Sequence, residues 1–272
     1  STPVIVRSGR KVVLTAVGRV LLQHGQQVLD LLDSLGDEVR YVRDGTSGRV
    51  RMMLSATPMQ VLAPSVLTIL REHRPGLRLQ AMQAHSQTSV RALRGGETDV
   101  AVITRISHTE ELIAAGLLSS SLLTVRGPEL TGMLEVPLFV DSLVLLVPAD
   151  HRLARQDSVR LDDVGTERVI TGGTELDAEM PPSRGPSDQD TAIVATNVLA
   201  IRELVAAGHG VAVMGSTTAA TFTQSDVRVL DFEPHITRTH SGVVWERLAS
   251  VDAIRGTLDA LVQAGSARMF AG

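Results

Sequence analysis

RVRMMLSATPMQVLAPSVLTILREHRPGLRLQAMQAHSQTSVRALRGGETDVAVI, residues 49–103, decides how this chain folds. The run Arg49-Val50-Arg51-Met52-Met53-Leu54 reads as a buried strand, followed by a polar turn, Ser55-Ala56-Thr57-Pro58. An amphipathic helix is expected from Val61 to Arg74, where Pro75-Gly76 ends it. Leu77 to Met82 alternates as a second strand, a helix over Thr88 to Arg94 stops at Gly95-Gly96, and Asp99 to Ile103 is a third strand. The order strand, helix, strand, helix, strand predicts a parallel sheet with right-handed crossovers.

The pattern recurs downstream. Ser142 to Val147 and Arg168 to Ile170 are strand candidates; Asn197 to Ala207 is a helix closed by Gly208-His209-Gly210; Val211 to Met214 is a strand directly behind it. Val227 to Leu230 and Gly242 to Trp245 add further strands, and Val251 to Ala264 a closing helix. In folds of this class ligands settle at the carboxyl ends of strands, where helix N-termini offer free N–H groups. That places Ser55, Thr57, Thr104, Thr171 and Gly172 as candidate ligand contacts, although a hydroxyl after a strand also commonly caps a helix.

Composition removes whole classes of chemistry. With no cysteine, disulfides, Fe–S clusters, Cys-ligated zinc and thiol nucleophiles are excluded. Lys11 is the single lysine, outside the α/β body, so a P-loop, an S-x-x-K hydrolase site and a Schiff-base enzyme are excluded as well. Gly208-His209-Gly210 follows a helix and precedes a strand, the reverse of a dinucleotide fingerprint, and reads as a helix C-cap. The histidines are dispersed and there is no Gly-x-Ser-x-Gly elbow, so no enzyme is indicated and neither metal nor cofactor is expected. Apolar runs such as Leu143 to Val147 fall far short of the roughly 18 residues of a membrane span, and a cytoplasmic protein is the default.

Charge is uneven. Residues 1–29 carry Arg7, Arg10, Lys11 and Arg19 against no acid, a formal +4 at one end of a chain whose total is −4. A basic end on an acidic body reads as a contact for nucleic acid or another anionic surface. Behind it, Leu14, Val17, Leu21, Val28, Leu31, Leu35 and Val42, with His24 and Glu38 in two slots of the same series, keep an alternating three–four spacing over about four heptads, the seam of a coiled coil. Thr15 is placed to cap this helix through the N–H of Val17 or Gly18, and Gly18 leaves room for a second backbone. Asp44-Gly45-Thr46-Ser47-Gly48 then breaks the chain as a linker does.

Taken together, Arg7-Ser8-Gly9-Arg10 leading to Leu14-Thr15-Ala16-Val17-Gly18, the Gly48-Arg49-Val50-Arg51-Met52 strand, Leu62-Ala63-Pro64, Arg74-Pro75-Gly76-Leu77-Arg78-Leu79, Gly96-Glu97-Thr98-Asp99-Val100-Ala101-Val102, Val136-Pro137-Leu138, Val147-Pro148-Ala149-Asp150-His151-Arg152-Leu153-Ala154 and Val205-Ala206-Ala207-Gly208-His209-Gly210-Val211-Ala212 resemble a LysR-type transcriptional regulator. The resemblance implies a winged helix-turn-helix of which residues 1–14 are the trailing wing, a linker and dimerisation helix over 15–47, and an α/β effector domain of two Rossmann-like lobes with type 2 periplasmic-binding-protein architecture. The first lobe would comprise 48–134 and 241–272, the second 135–240, with hinge segments near Thr104 and Ser241. A small-molecule effector would sit between the lobes, contacted by Ser55, Thr57, Thr104, Thr171, Gly172 and Asn197. Arg7, Arg10 and Lys11 would touch DNA, and the implied partners are double-stranded promoter DNA, the effector and further copies of the chain. Arg105, beside the hinge, could hold a carboxylate or simply lie at the surface.

Two segments depart from the family pattern. Residues 110–135 add an extra helix or a flap, and Thr174 to Gln189 reads as a loop. A solute-binding protein of a transporter would share the two-lobed fold; it predicts a monomer without a coiled-coil helix.

Overall fold

The computed structural model describes residues 3–8, 11–22, 24–25, 28, 32, 35, 48–114, 117, 127–164, 167–172, 193–195 and 197–269. The strands are β1 (Ile5–Ser8), β2 (Lys11–Leu14), β3 (Arg49–Leu54), β4 (Arg78–Gln83), β5 (Val100–Ile106), β6 (Met133–Pro148), β7 (Ser158–Val159), β8 (Ile170–Gly172), β9 (Ile193–Ala195), β10 (Ala212–Gly215), β11 (Val227–Phe232) and β12 (Thr237–Trp245). Helix α1 covers residues 16–22, with positions 24, 25, 28, 32 and 35 also helical. It is followed by α2 (Ala56–Val61), α3 (Ala63–His73), α4 (Ser86–Gly95), α5 (Thr109–Ala114), α6 (Leu161–Val164), α7 (Val198–Ala206), α8 (Ser216–Ala219) and α9 (Asp252–Met269). The chain divides into two compact units: Ser1–Ile103, Arg126–Leu138 and Ser241–Gly272 form the first, Thr104–Val125 and Phe139–His240 the second.

In the first unit β1 and β2 form an antiparallel hairpin that pairs Ile5 with Leu14 and Ser8 with Lys11. The hairpin is fastened to α1 through Thr15. Its N–H donates to the Val4 carbonyl at 3.0 Å, while its hydroxyl accepts the Gly18 N–H at 3.0 Å, which is the cap the sequence predicts. Gly18 is required by the closeness of this junction, since a Cβ there would lie 2.0 Å from the Val4 oxygen.

The body of that unit is the expected parallel sheet. β3 pairs in parallel with β4 on one side and β5 on the other, and Val50, Met52 and Leu54 alternate into the core. Asp99, just ahead of β5, accepts from the Arg51 backbone N–H at 2.7 Å and from its guanidinium at 2.8 Å, fixing the strand register from below. Helix α9 packs against α3 and β3, and its first residue, Asp252, pairs with Arg74. The single helix expected from Val61 is instead two. Ser55-Ala56-Thr57-Pro58 is the start of α2 and not a free turn: Pro58 lies in the first helical turn, where its missing N–H leaves no intrahelical bond unmade. The chain then bends at Leu62 into α3, with Pro64 again in a first turn.

The second unit is mixed where uniform βα alternation was expected. β10 and β11 both pair antiparallel with β6, β7 joins β11 in parallel, and β8 pairs with β9 in parallel. Its core gathers Leu143, Leu145, Val147, Leu153, Phe232 and Leu230. Leu112 and Leu117 join that cluster, so the extra segment contributes helix α5 to the second unit, whereas the expected boundary kept it in the first lobe. β6 is also longer than the expected Ser142 to Val147, and the border falls within it, at Leu138/Phe139. Helix α7 ends as read from the sequence, with Gly208 at φ 78° past its C-terminus. The Thr174 to Gln189 loop lies outside the described residues.

Glycine at position 265 lets α9 approach β6 within the first unit, because a Cβ there would lie 2.4 Å from the Leu138 carbonyl oxygen. Gly265→Ala gains helix propensity of about 1 kcal/mol but forces a backbone contact apart, so a net loss of about 2 kcal/mol is expected in urea unfolding. A stabilised variant would show that this approach is not a constraint.

Candidate functional site

Strands β5, β12 and β6 lie side by side in that order, and their second-unit residues carry a buried polar cluster. At its centre is Asp141 on β6, 5% exposed. Arg238 on β12 grips it with two parallel bonds, Nε to Oδ1 at 2.9 Å and Nη2 to Oδ2 at 2.7 Å. His240, two residues further along β12 and fully buried, places Nε2 3.0 Å from Asp141 Oδ1 and Nδ1 2.9 Å from the Thr104 hydroxyl of β5. The Phe139 ring stacks on the imidazole with centroids 4.2 Å apart. Gly215, at the end of β10, makes room for the guanidinium, since a Cβ there would meet Arg238 Nη2 at 1.8 Å.

Electrostatics assign the protons. Burial alone would raise the Asp141 pKa, but hydrogen bonds from His240 and Arg238, with the Arg238 charge, bring it down to about 2. Burial pushes His240 below its ordinary value; the bond to Asp141 opposes this and the Arg238 charge reinforces it. The cluster therefore holds an ionised Asp141, a cationic Arg238 and a neutral His240. An ionised carboxylate only accepts, so the imidazole proton is on Nε2, Nδ1 is an acceptor, and Thr104 donates its hydroxyl proton to it.

The other expected contacts are distributed over both units. Ser55 is the residue from which α2 starts, its backbone N–H donating to the Val102 carbonyl at 3.3 Å, and Thr57 is buried in the first turn of α2. Thr171 and Gly172 are inside β8, paired with Val194 and Ala195, and not in the loop after a strand ending at Ile170. The strand is shifted because the Val211 carbonyl receives the Ile170 N–H, aligning this segment on the chain that leads into β10. Asn197 caps α7, its Oδ1 accepting the Leu199 N–H at 2.8 Å. Arg7 lies exposed on β1, Lys11 opens β2, and Arg10 is outside the described residues. Arg105 is half-buried in β5. Of the sequence-derived set, only Thr104 belongs to the buried cluster; Asp141, Arg238, His240 and Phe139 were missed. A signal existed: Asp141 is the single charge between Glu135 and Asp150, and a charge inside an apolar strand must be paired when it is buried. Among the described residues no group of three or more His, Asp or Glu side chains is placed to hold a metal ion.

The cluster makes stability acid-sensitive in two steps. The unfolded imidazole takes up a proton below about pH 6.5 that the folded one resists, so stability present above 6.5 declines below it. Asp141 contributes stability present above pH 3.8 and lost as pH falls through about 2, worth about 2 kcal/mol. His240→Gln is expected to remove the first step and Asp141→Ala to cost about 3 kcal/mol at pH 7, both read by urea unfolding over a pH series. Unchanged pH profiles would contradict this assignment of charges.

Comparison with known proteins agrees with this architecture. The family model described as "LysR substrate binding domain" matches residues 43–132 and 122–266. The HTH-type transcriptional regulator IlvR of Caulobacter vibrioides is 28% identical over 97% of this chain and 84% of its own length. The DNA-binding transcriptional dual regulator OxyR of Escherichia coli is 24% identical over 76% of this chain, which spans 63% of that relative. Among solved structures, a full-length OxyR variant of Pseudomonas aeruginosa shares the fold with a TM-score of 0.61, at 20% identity, over 95% of this chain and 82% of that one. With the family model covering most of its length, the chain belongs to the LysR substrate-binding domain family, the effector-domain family of LysR-type regulators.

Proposed function

We propose that the chain is the effector-sensing and self-assembling part of a DNA-binding LysR-type transcriptional regulator acting in the cytoplasm. The observation that carries the reading is the continuity of its parts: a basic hairpin, a helix with an exposed apolar row and the two α/β units follow one another in a chain that aligns with IlvR over 97% of its length. On α1 and its helical continuation, the seam residues Val17, Leu21, Val28 and Leu35 are each 41–57% exposed. A row of this kind at heptad spacing is buried by a second helix, and a second copy of the chain supplies one. The solute-binding alternative has no use for such a helix.

In this reading Arg7, Arg10 and Lys11 lie on the wing of a DNA-binding domain and contact phosphates, which positions the protein on DNA without specifying sequence. A small molecule with different affinity for two states of the effector domain shifts their equilibrium, and assembly through α1 transmits that shift to DNA. Ser55, Thr57, Thr104, Thr171, Gly172 and Asn197 are the contacts the family pattern assigns to the effector. Several curated relatives are named hydrogen peroxide-inducible genes activators. This chain has no cysteine, so none of its side chains is a thiol open to oxidation.

Sedimentation velocity tests the assembly. A dimer or tetramer is expected, and Leu21→Asp together with Val28→Asp should yield a monomer with unchanged circular dichroism. A wild-type monomer at high concentration would overturn the reading. For the effector, small carboxylates, amino acids, amines and aromatics can be screened by thermal shift; a compound at 100 times its Kd stabilises by about 2.7 kcal/mol, and Thr104→Ala should diminish that shift.

A further inference from the structure

The hydrogen bonds around Thr104 have a direction, and the direction restricts what can bind there. Asp141 already faces one cation, the bidentate Arg238. With His240 neutral the three charged or titratable groups sum to zero; with His240 protonated a net positive charge would be enclosed among Phe139 and the strands. Among the described residues the charged groups acting on His240 are these same two, Asp141 and Arg238. A neutral imidazole whose Nε2 faces a carboxylate at 3.0 Å has its proton there, which leaves Nδ1 as an acceptor 2.9 Å from Thr104 Oγ1. Threonine has one hydroxyl proton, and Nδ1 takes it. Any other group that meets this oxygen must bring its own hydrogen.

We propose that His240 is a positioning residue that fixes the Thr104 hydroxyl as a hydrogen-bond acceptor toward the effector, so that the effector presents an N–H or O–H donor to Thr104 and not a carboxylate. The proposal rests on the reading of Thr104 as an effector contact and narrows the effector to a compound with an ammonium, amide or hydroxyl group at that point. A carboxylate on the same compound is accommodated by other residues.

Two measurements on the full chain test it. Long-range 1H–15N NMR of 15N-histidine-labelled protein at pH 7 should show His240 protonated on Nε2 and bare on Nδ1, its signal identified by its movement in Thr104→Val, which removes the hydroxyl and keeps the shape. Matched probes, benzylamine and benzamide against benzoate and propylamine against propionate, are then titrated by ligand-observed NMR. Donor-bearing members are expected to bind, roughly tenfold more weakly to Thr104→Val and within about twofold of wild type to Thr104→Ser. A His240 protonated on Nδ1, or carboxylates that bind with the same loss in Thr104→Val, would overturn the proposal. Unchanged affinity of the binding probes in Thr104→Val, with the Nε2–H tautomer in place, would instead refute the effector-contact reading on which it rests.

Discussion

An ionised carboxylate in the middle of a sheet is stable only when each of its oxygens is met by a donor, and much of the second unit is arranged around meeting that condition at Asp141. Arg238 engages both oxygens and His240 shares one of them. Each donor imposes a further requirement. The guanidinium needs a glycine at 215, and the imidazole needs an acceptor's partner at Nδ1, which Thr104 supplies, and a flat neighbour, which Phe139 supplies. The consequence is that β5, β6 and β12 are joined by side chains as well as by their backbones. Thr104, Phe139 and His240 each stand in the chain directly at a border between the second unit and the first. A regulator that changes state must keep some part of itself invariant, and a fully satisfied buried network is suited to that part.

The first unit obeys a different logic. Its parallel sheet is held by ordinary burial, with Val50, Met52, Leu54 and the Val100 to Ile103 run almost without exposed surface. Its amino-terminal extension, by contrast, buries little: Ile5, Val6, Leu21, Leu22 and Leu32 are all substantially exposed. The hairpin and helix are ordered locally by the Thr15 cap and the close approach at Gly18, while their apolar side chains stay exposed. A helix of this kind gains little stability from packing within its own chain, which is why assembly enters the proposed function.

How far the sequence reveals this depends on the range of each interaction. The β3 to β5 alternation, the Thr15 cap, the Gly18 approach and the α7 C-cap at Gly208 are local, and each is legible from neighbours in the chain. The mixed sheet of the second unit is not, because antiparallel pairing of β10 and β11 on β6 joins residues more than sixty positions apart without a local signature. The same holds for the site. Ser55, Thr57 and Thr104 are expected from their places after strands and Asn197 from the helix it starts, and Thr171 and Gly172 are found within a strand and not after one, whereas Asp141 finds Arg238 and His240 only after folding brings positions 97 and 99 apart in sequence together. The one local hint, a lone acid in an apolar strand, demands a buried partner but does not name it. The segment boundary is hidden for a related reason: Leu112 of α5 and Leu117 join the hydrophobic cluster that holds Leu143 and Leu145, a choice made in three dimensions.

Two hydrogens in the Asp141, His240 and Thr104 chain decide which groups donate and which accept. Joint neutron and X-ray crystallography of the deuterated protein locates them directly. A deuterium is expected on His240 Nε2 pointing at Asp141, with the Thr104 hydroxyl deuterium pointing at His240 Nδ1. A deuterium on Nδ1, directed at the Thr104 oxygen, would contradict this assignment.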